Sequence, residues 1–275
     1  MKENFKREDI HYNFLKNITI RFDFDGVDES ELEGVLGKIS QELKKKGYTS
    51  RTKEICKEMD FNIDDPEKIE TDGLFARNVR QQQVFVFHNK DEHIKLKISS
   101  TFAFISINKT KYVNCLEYCG VLLKVMKIVR KEVTYFNCRR FGLRKINQCF
   151  LMDITKLNDF FESKHYHLFH FGEKSNPKVT QLKDSFFVGD YNINLMRTIV
   201  RGEIGDQEAY QIIFDSDIYI LGNQEVHSLI LEEGVSNMND ILFELYKDVV
   251  TEKFLQQLND GTFDEQIIKG VEKNE

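Results

Sequence analysis

Between Lys124 and Lys145 eight basic residues stand against one acid, Glu132, a local net charge of +7 in a chain whose total is −6. Everything outside this stretch therefore carries −13. Five of the polar residues here could do chemistry: Arg139, Arg140, Arg144, Lys145 and Asn147. If Phe141 to Phe150 is a strand, Arg140, Gly142, Arg144 and Ile146 share one face while Phe141 and Leu143 take the other. Two guanidiniums flanking a glycine that lets another backbone approach could grip a phosphate, a carboxylate or an acidic partner. The competing expectation is that Arg140 and Arg144 pair with acids on neighbouring strands. Asn147 closes the row.

Other chemistry-bearing groups are weaker. In His165-Tyr166-His167-Leu168-Phe169-His170, a strand would turn His165 and His167 one way and His170 the other, so one metal could not gather all three. Asp23-Phe24-Asp25-Gly26-Val27 follows an apolar strand and resembles the first motif of haloacid-dehalogenase-type phosphohydrolases. That resemblance implies a nucleophilic first carboxylate, an acid/base second one and Mg²⁺. Gly189-Asp190 echoes the family's late acidic motif, but Tyr191, Asn192, Ile193 and Asn194 follow where another acid is wanted. Asp-Gly after a strand is also ordinary turn chemistry. No P-loop, G-x-S-x-G or G-x-G-x-x-G occurs, so no cofactor is expected.

The elements that must position these groups follow from periodicity. Ile18, Ile20, Phe22 and Phe24 alternate as a strand. Leu32, Leu36, Ile39 and Leu43 then form one helical stripe, with Ser30 as candidate N-cap and Gly47 as stop. Thr49 to Val79 is polar, contains Pro66 and reads as irregular structure with room for a short strand. Val84 to Phe87, Ile94 to Ile98 and Phe102 to Ile107 read as antiparallel strands. Cys115, Cys119, Leu122, Met126, Val129 and Val133 make the second helical seam.

The same series then recurs: strand Phe141–Phe150, a short helix Ile154–Phe161, strands Ser185–Gly202 and Glu208–Leu221, and a closing helix Met238–Leu258. The order predicts an α+β fold of two similar halves, 1–134 and 135–258, each an antiparallel sheet with helices on one face. A duplicated ferredoxin-like or related split sandwich is compatible with this order. Residues 259–275 read as a weakly ordered acidic tail.

Composition frames the function classes. With 275 residues, 41% hydrophobic and 31% charged, the chain can bury a large core, and disorder and low complexity are excluded. No apolar run approaches a membrane span. Five cysteines without a CxxC read as reduced, buried thiols. Alanine occurs only at positions 76, 103 and 209, which fits codon usage in an AT-rich bacterial genome, and a bacterial cytoplasm is the expected location. A pI near 5.8 argues against general nucleic-acid affinity.

At Arg140-Phe141-Gly142-Leu143-Arg144-Lys145-Ile146-Asn147 the chain resembles a sporadically distributed family of uncharacterised bacterial proteins with a central R-[I/F]-G-L-R-Y-x-N strand. Lys145 replaces the family's tyrosine. The resemblance implies an accessory bacterial gene of the defence or toxin–antitoxin kind and carries no activity with it. The expectation is a non-enzymatic binding or adaptor protein that engages an anionic ligand, above all a protein partner, through Arg140, Arg144 and Asn147, with Arg139 and Lys145 beside them. Two alternatives are a duplicated ferredoxin-like RNA-binding or RNA-processing protein, and an Mg-dependent phosphohydrolase using Asp23 and Asp25. Oligomeric state is not legible in the sequence.

Overall fold

The computed structural model describes residues 2, 5–59, 79–90, 93–108, 115–167, 178–222 and 228–273. In the first half they form β1 (Tyr12–Asn13), β2 (Leu15–Asp25), α1 (Glu29–Lys45), β3 (Tyr48–Met59), β4 (Val79–Asn89), β5 (Ile94–Ile98), β6 (Phe102–Asn108) and α2 (Cys115–Glu132). The second half adds β7 (Asn137–Leu151), α3 (Leu157–Phe160), β8 (Val179–Val188), β9 (Tyr191–Ile204), β10 (Gln207–Leu221), α4 (Ser228–Val249) and α5 (Glu252–Asp260). Two short strands follow, β11 (Ile268–Lys269) and β12 (Glu272–Lys273).

The fold is α+β. One antiparallel sheet runs in the order β3-β4-β5-β6-β2-β7-β10-β9-β8, and β11 also pairs with β7. Each half is a meander that returns to pair with its own first strand, β6 with β2 and β10 with β7. This differs from the interleaved order of a ferredoxin-like half, because consecutive strands here are hairpin neighbours. The halves are joined by β2 against β7, so the boundary at 134/135 lies within one continuous sheet.

The helices form because their apolar stripes have this sheet face to cover. In α1, Leu32, Val35, Leu36, Ile39 and Leu43 are buried, and the helix ends before Gly47, whose φ of 83° is left-handed. Its N-cap is Asp28 rather than Ser30, since Asp28 and Glu31 complete a capping box. In α2, Cys115, Cys119, Leu122, Met126 and Val129 are buried against Ile18, Ile20, Phe22, Phe141 and Leu143 in the largest of three cores, the smallest being Val84, Val86 and Phe102 on the opposite face of the sheet. The second core gathers Phe14, Phe161, Tyr166, Phe214, Phe254 and Ile268 under α3, α4 and α5. No described helix is long and apolar enough to cross a membrane.

Four sequence expectations change. Residues 48–59 are a strand of twelve residues, longer than the short one allowed for, while residues 60–78 lie outside the described residues; paired among the described residues with β4 alone, β3 tolerates charged residues that a central strand would reject. The closing helix is two helices, broken where Thr251 turns extended and its hydroxyl accepts from the Phe254 N–H. Ser185–Gly202 is a hairpin, turning at Gly189-Asp190. Finally, the terminal segment is not loose: Ile268 is buried and pairs with Leu151, and Glu272 and Lys273 pair with β1.

Candidate functional site

The sheet has a second face on which none of the described helices lies, and its centre is built by alternation. Residues directly opposite in antiparallel strands point the same way. Thr19, Arg21 and Asp23 of β2 therefore meet Arg144, Gly142 and Arg140 of β7, and these meet Asp217, Tyr219 and Leu221 of β10. Arg140 and Arg144 thus stand on one face, as their spacing predicts.

Both guanidiniums are met by carboxylates. Arg140 Nη2 donates to both oxygens of Asp217 at 2.8 and 2.6 Å, and Nη1 donates to Asp23 at 3.2 Å. Its side chain is 22% exposed, and its guanidinium carbon lies 4.3 Å from the Tyr219 ring centroid. Arg144 forms a fork with Asp215, Nε at 2.8 Å and Nη2 at 2.5 Å, and keeps its own side chain 48% exposed while covering Asp215. Arg21 donates to Asp23 at 2.7 Å and lies over the Phe102 ring.

Gly142 explains why the row has a gap in its middle. A Cβ there would come within 2.9 Å of both the Ile218 carbonyl oxygen and the Tyr219 Cβ. The missing side chain lets β10 approach and leaves room for Tyr219, on which Arg140 then stacks. The spacing Arg140-x-Gly142-x-Arg144 is thus a device for interlocking β7 with β10.

Arg139 joins the row through an irregularity. The register of β2 and β7 shifts so that Asp23 faces Arg140 while Phe24 faces Cys138, leaving Arg139 as the extra residue of a bulge. Consecutive arginines consequently reach the same side, and Arg139 pairs with Asp25. Lys145 and Asn147 do not join them. Lys145 alternates toward the helices, where its amine donates to Asn239 Oδ1, and burial lowers its pKa to about 8. Asn147 is buried, opposite Phe214 in the second core.

The expected row of unneutralised cations is therefore corrected. Arg21, Arg139, Arg140 and Arg144 are balanced by Asp23, Asp25, Asp215 and Asp217, because β2 and β10 bring acids to the strands flanking β7. Within this network, burial raises the pKa of Asp217 above the ordinary carboxylate value, against the opposing pull of Arg140 and Arg144. Asp215, Asp217 and Tyr219 were the residues that sequence reading passed over. Their signal was two acids at alternate positions inside an otherwise apolar strand, matching the spacing of Arg140 and Arg144 to within one pleat.

The Asp23-x-Asp25-Gly26 segment departs from the phosphohydrolase arrangement. β2 is antiparallel to both its neighbours, and each carboxylate is engaged by arginine. Gly26, at φ 85°, is the turn into α1 and lies against Tyr135. Of the histidine cluster, His165 is buried in a turn, and His170 lies outside the described residues. Among the described residues no group of three or more His, Cys, Asp or Glu is placed to hold a metal. Cys115, Cys119, Cys138 and Cys149 are buried, and burial pushes the Cys138 thiol up to about 11.

No family model and no curated protein matches the chain. Among solved structures, it is similar to the substrate-free duplicated taurocyamine kinase from Schistosoma mansoni at 13% identity and a TM-score of 0.29, over 84% of this chain. The chain spans about a third of that protein's length. At that score the likeness carries no argument about fold or activity.

Proposed function

We propose that this protein is a binding module whose second sheet face, centred on Arg140 and Arg144, docks a protein partner. The observation that carries this reading is the charge-matched arginine–aspartate network on a face where no described helix lies. Such a network fixes the position of each guanidinium in advance, so little side-chain entropy remains to be lost on docking. Arg144 and Arg139, the latter 68% exposed, keep unused N–H donors at its surface.

Balanced charge also selects the class of partner. A polyanion is held by net positive charge and counterion release, and four cations offset by four carboxylates supply little of either. A protein surface with both signs of charge can exchange partners with such a network, gaining specificity more than raw affinity. Exposed Phe187 and Leu221 add apolar area toward one end of this face.

The test uses the intact chain as bait in extract from the native host, with eluates divided between mass spectrometry and nucleic-acid staining. A partner held by wild type should be lost with Arg144→Gln and kept with Glu117→Lys at an exposed position of α2, each variant first shown to melt like wild type. Capture unaffected by Arg144→Gln, or a complex dissolved by nuclease, overturns the reading.

A further inference from the structure

On the other face of the sheet from the arginine row, a chain of charged groups crosses from the sheet edge to α4 through one imidazole. Arg197 of β9, 7% exposed, donates from Nη1 to His165 Nδ1 at 3.0 Å and pairs through Nη2 with Asp184 of edge strand β8. His165 Nε2 lies 2.8 Å from Asp248 Oδ2 on α4, and Lys164 binds the other oxygen of Asp248. The turn carrying His165 is pinned on both sides. Glu162 meets Lys2 at 2.5 Å, and the Tyr166 hydroxyl donates to the Ile213 carbonyl at 2.7 Å.

The direction of these bonds fixes the imidazole. A guanidinium can only donate, so Nδ1 must carry a lone pair, and the single ring proton sits on Nε2, where it is donated to the carboxylate. Adding a proton at Nδ1 would set N–H against N–H and place two positive charges in contact within a buried site. The groups facing His165 are Arg197 from β9, Asp248 from α4 and Lys164 in its own turn, with Asp184 of β8 behind Arg197. One carboxylate, already shared with Lys164, would have to offset the new charge. Among the described residues Arg197 has no further carboxylate to fall back on, and its buried Nε is already unsatisfied.

We infer that His165 is a proton-sensitive latch, which in its neutral form ties edge strand β8 and its neighbour β9 to α4 and on protonation releases the 162–167 turn from the sheet edge. Burial, followed by Arg197 and Lys164, holds the His165 pKa below the ordinary imidazole value, against Asp248. The sign follows: the unfolded chain takes up the proton first as pH falls. The latch is intact above the ordinary imidazole pKa, loses stability as pH drops below it, and opens through the depressed native value.

Two measurements on the full chain test this. Long-range ¹H–¹⁵N correlation spectra of the histidine rings should show the Nε2–H tautomer of His165 near neutral pH, with a midpoint that moves up in Arg197→Met. Hydrogen exchange should show protection factors for residues 162–167 and 179–188 falling about tenfold more than those of β4 and β5 between about pH 7 and about pH 5. An Nδ1–H tautomer, a midpoint unmoved by Arg197→Met, or equal loss of protection across the sheet overturns the inference. Should Arg197→Met not fold, the wild-type tautomer and exchange pattern decide it alone.

Discussion

Arg140 and Asp217 offer the sharpest test of how the arginine row is held together, because the two partners should not be equivalent. Replacing Arg140 with Met keeps the volume of the stem over Tyr219 but leaves Asp217, 22% exposed, with neither of its hydrogen bonds. Asp23 keeps Arg21 and is less affected. An uncompensated, largely buried carboxylate costs about 3 kcal/mol, less than a fully enclosed one because some solvent remains. Replacing Asp217 with Asn instead removes a charge that burial already disfavours, and the amide oxygen can still accept from Arg140. That change should cost about 1 kcal/mol or less.

The pH dependence separates this account from simple loss of packing. The folded-state pKa of Asp217 is already raised, and without Arg140 it rises further. A raised carboxylate pKa contributes stability only below the unfolded value, and that contribution is lost as pH rises through the folded value. Hence the penalty of Arg140→Met should be full near neutral pH and shrink at acid pH as Asp217 takes up a proton. Urea denaturation of wild type and both variants at the two pH values measures it. Equal penalties for the two substitutions, or an Arg140→Met penalty that does not change with pH, would refute the reasoning.

Other outcomes follow from the same geometry. Gly142→Ala should destabilise by about 2 kcal/mol, since its Cβ meets a backbone oxygen that cannot swing aside, and denaturant midpoints will show it. Lys145→Met should be at least as stable as wild type near neutral pH. That advantage should narrow as pH rises from about 8 toward the unfolded lysine pKa, because only the wild-type amine must be discharged on burial. Ile268→Ala should cost about 3 kcal/mol if the terminal segment is part of the second core, and close to nothing if it is a loose tail.

The sequence made some elements plain and hid others, and the difference is physical. β2, α1 and α2 were legible because each presents one unbroken apolar stripe to one core. The alternation of Arg140, Gly142 and Arg144 was legible for the same reason. The length of β3 was hidden because an edge strand owes its form to backbone pairing with β4 and needs no apolar face. The break at Thr251 was missed because α4 and α5 both feed the second core, so the apolar pattern runs across the interruption. The neutrality of the arginine row was hidden deepest. It depends on β10 pairing with β7 across some seventy residues of chain, as in Arg144 with Asp215, and on a bulge at Arg139 that no periodicity announces.

The seam between β2 and β7 has a consequence for any attempt to divide this chain. Cutting at the midpoint would strip one side of β2 and one side of β7, each a run of more than ten residues with apolar side chains on one surface and unsatisfied amides along its length. Each fragment would carry a ready template for adhesion to its neighbours. Severed halves should recombine with each other or precipitate, and neither should persist as a dispersed monomer.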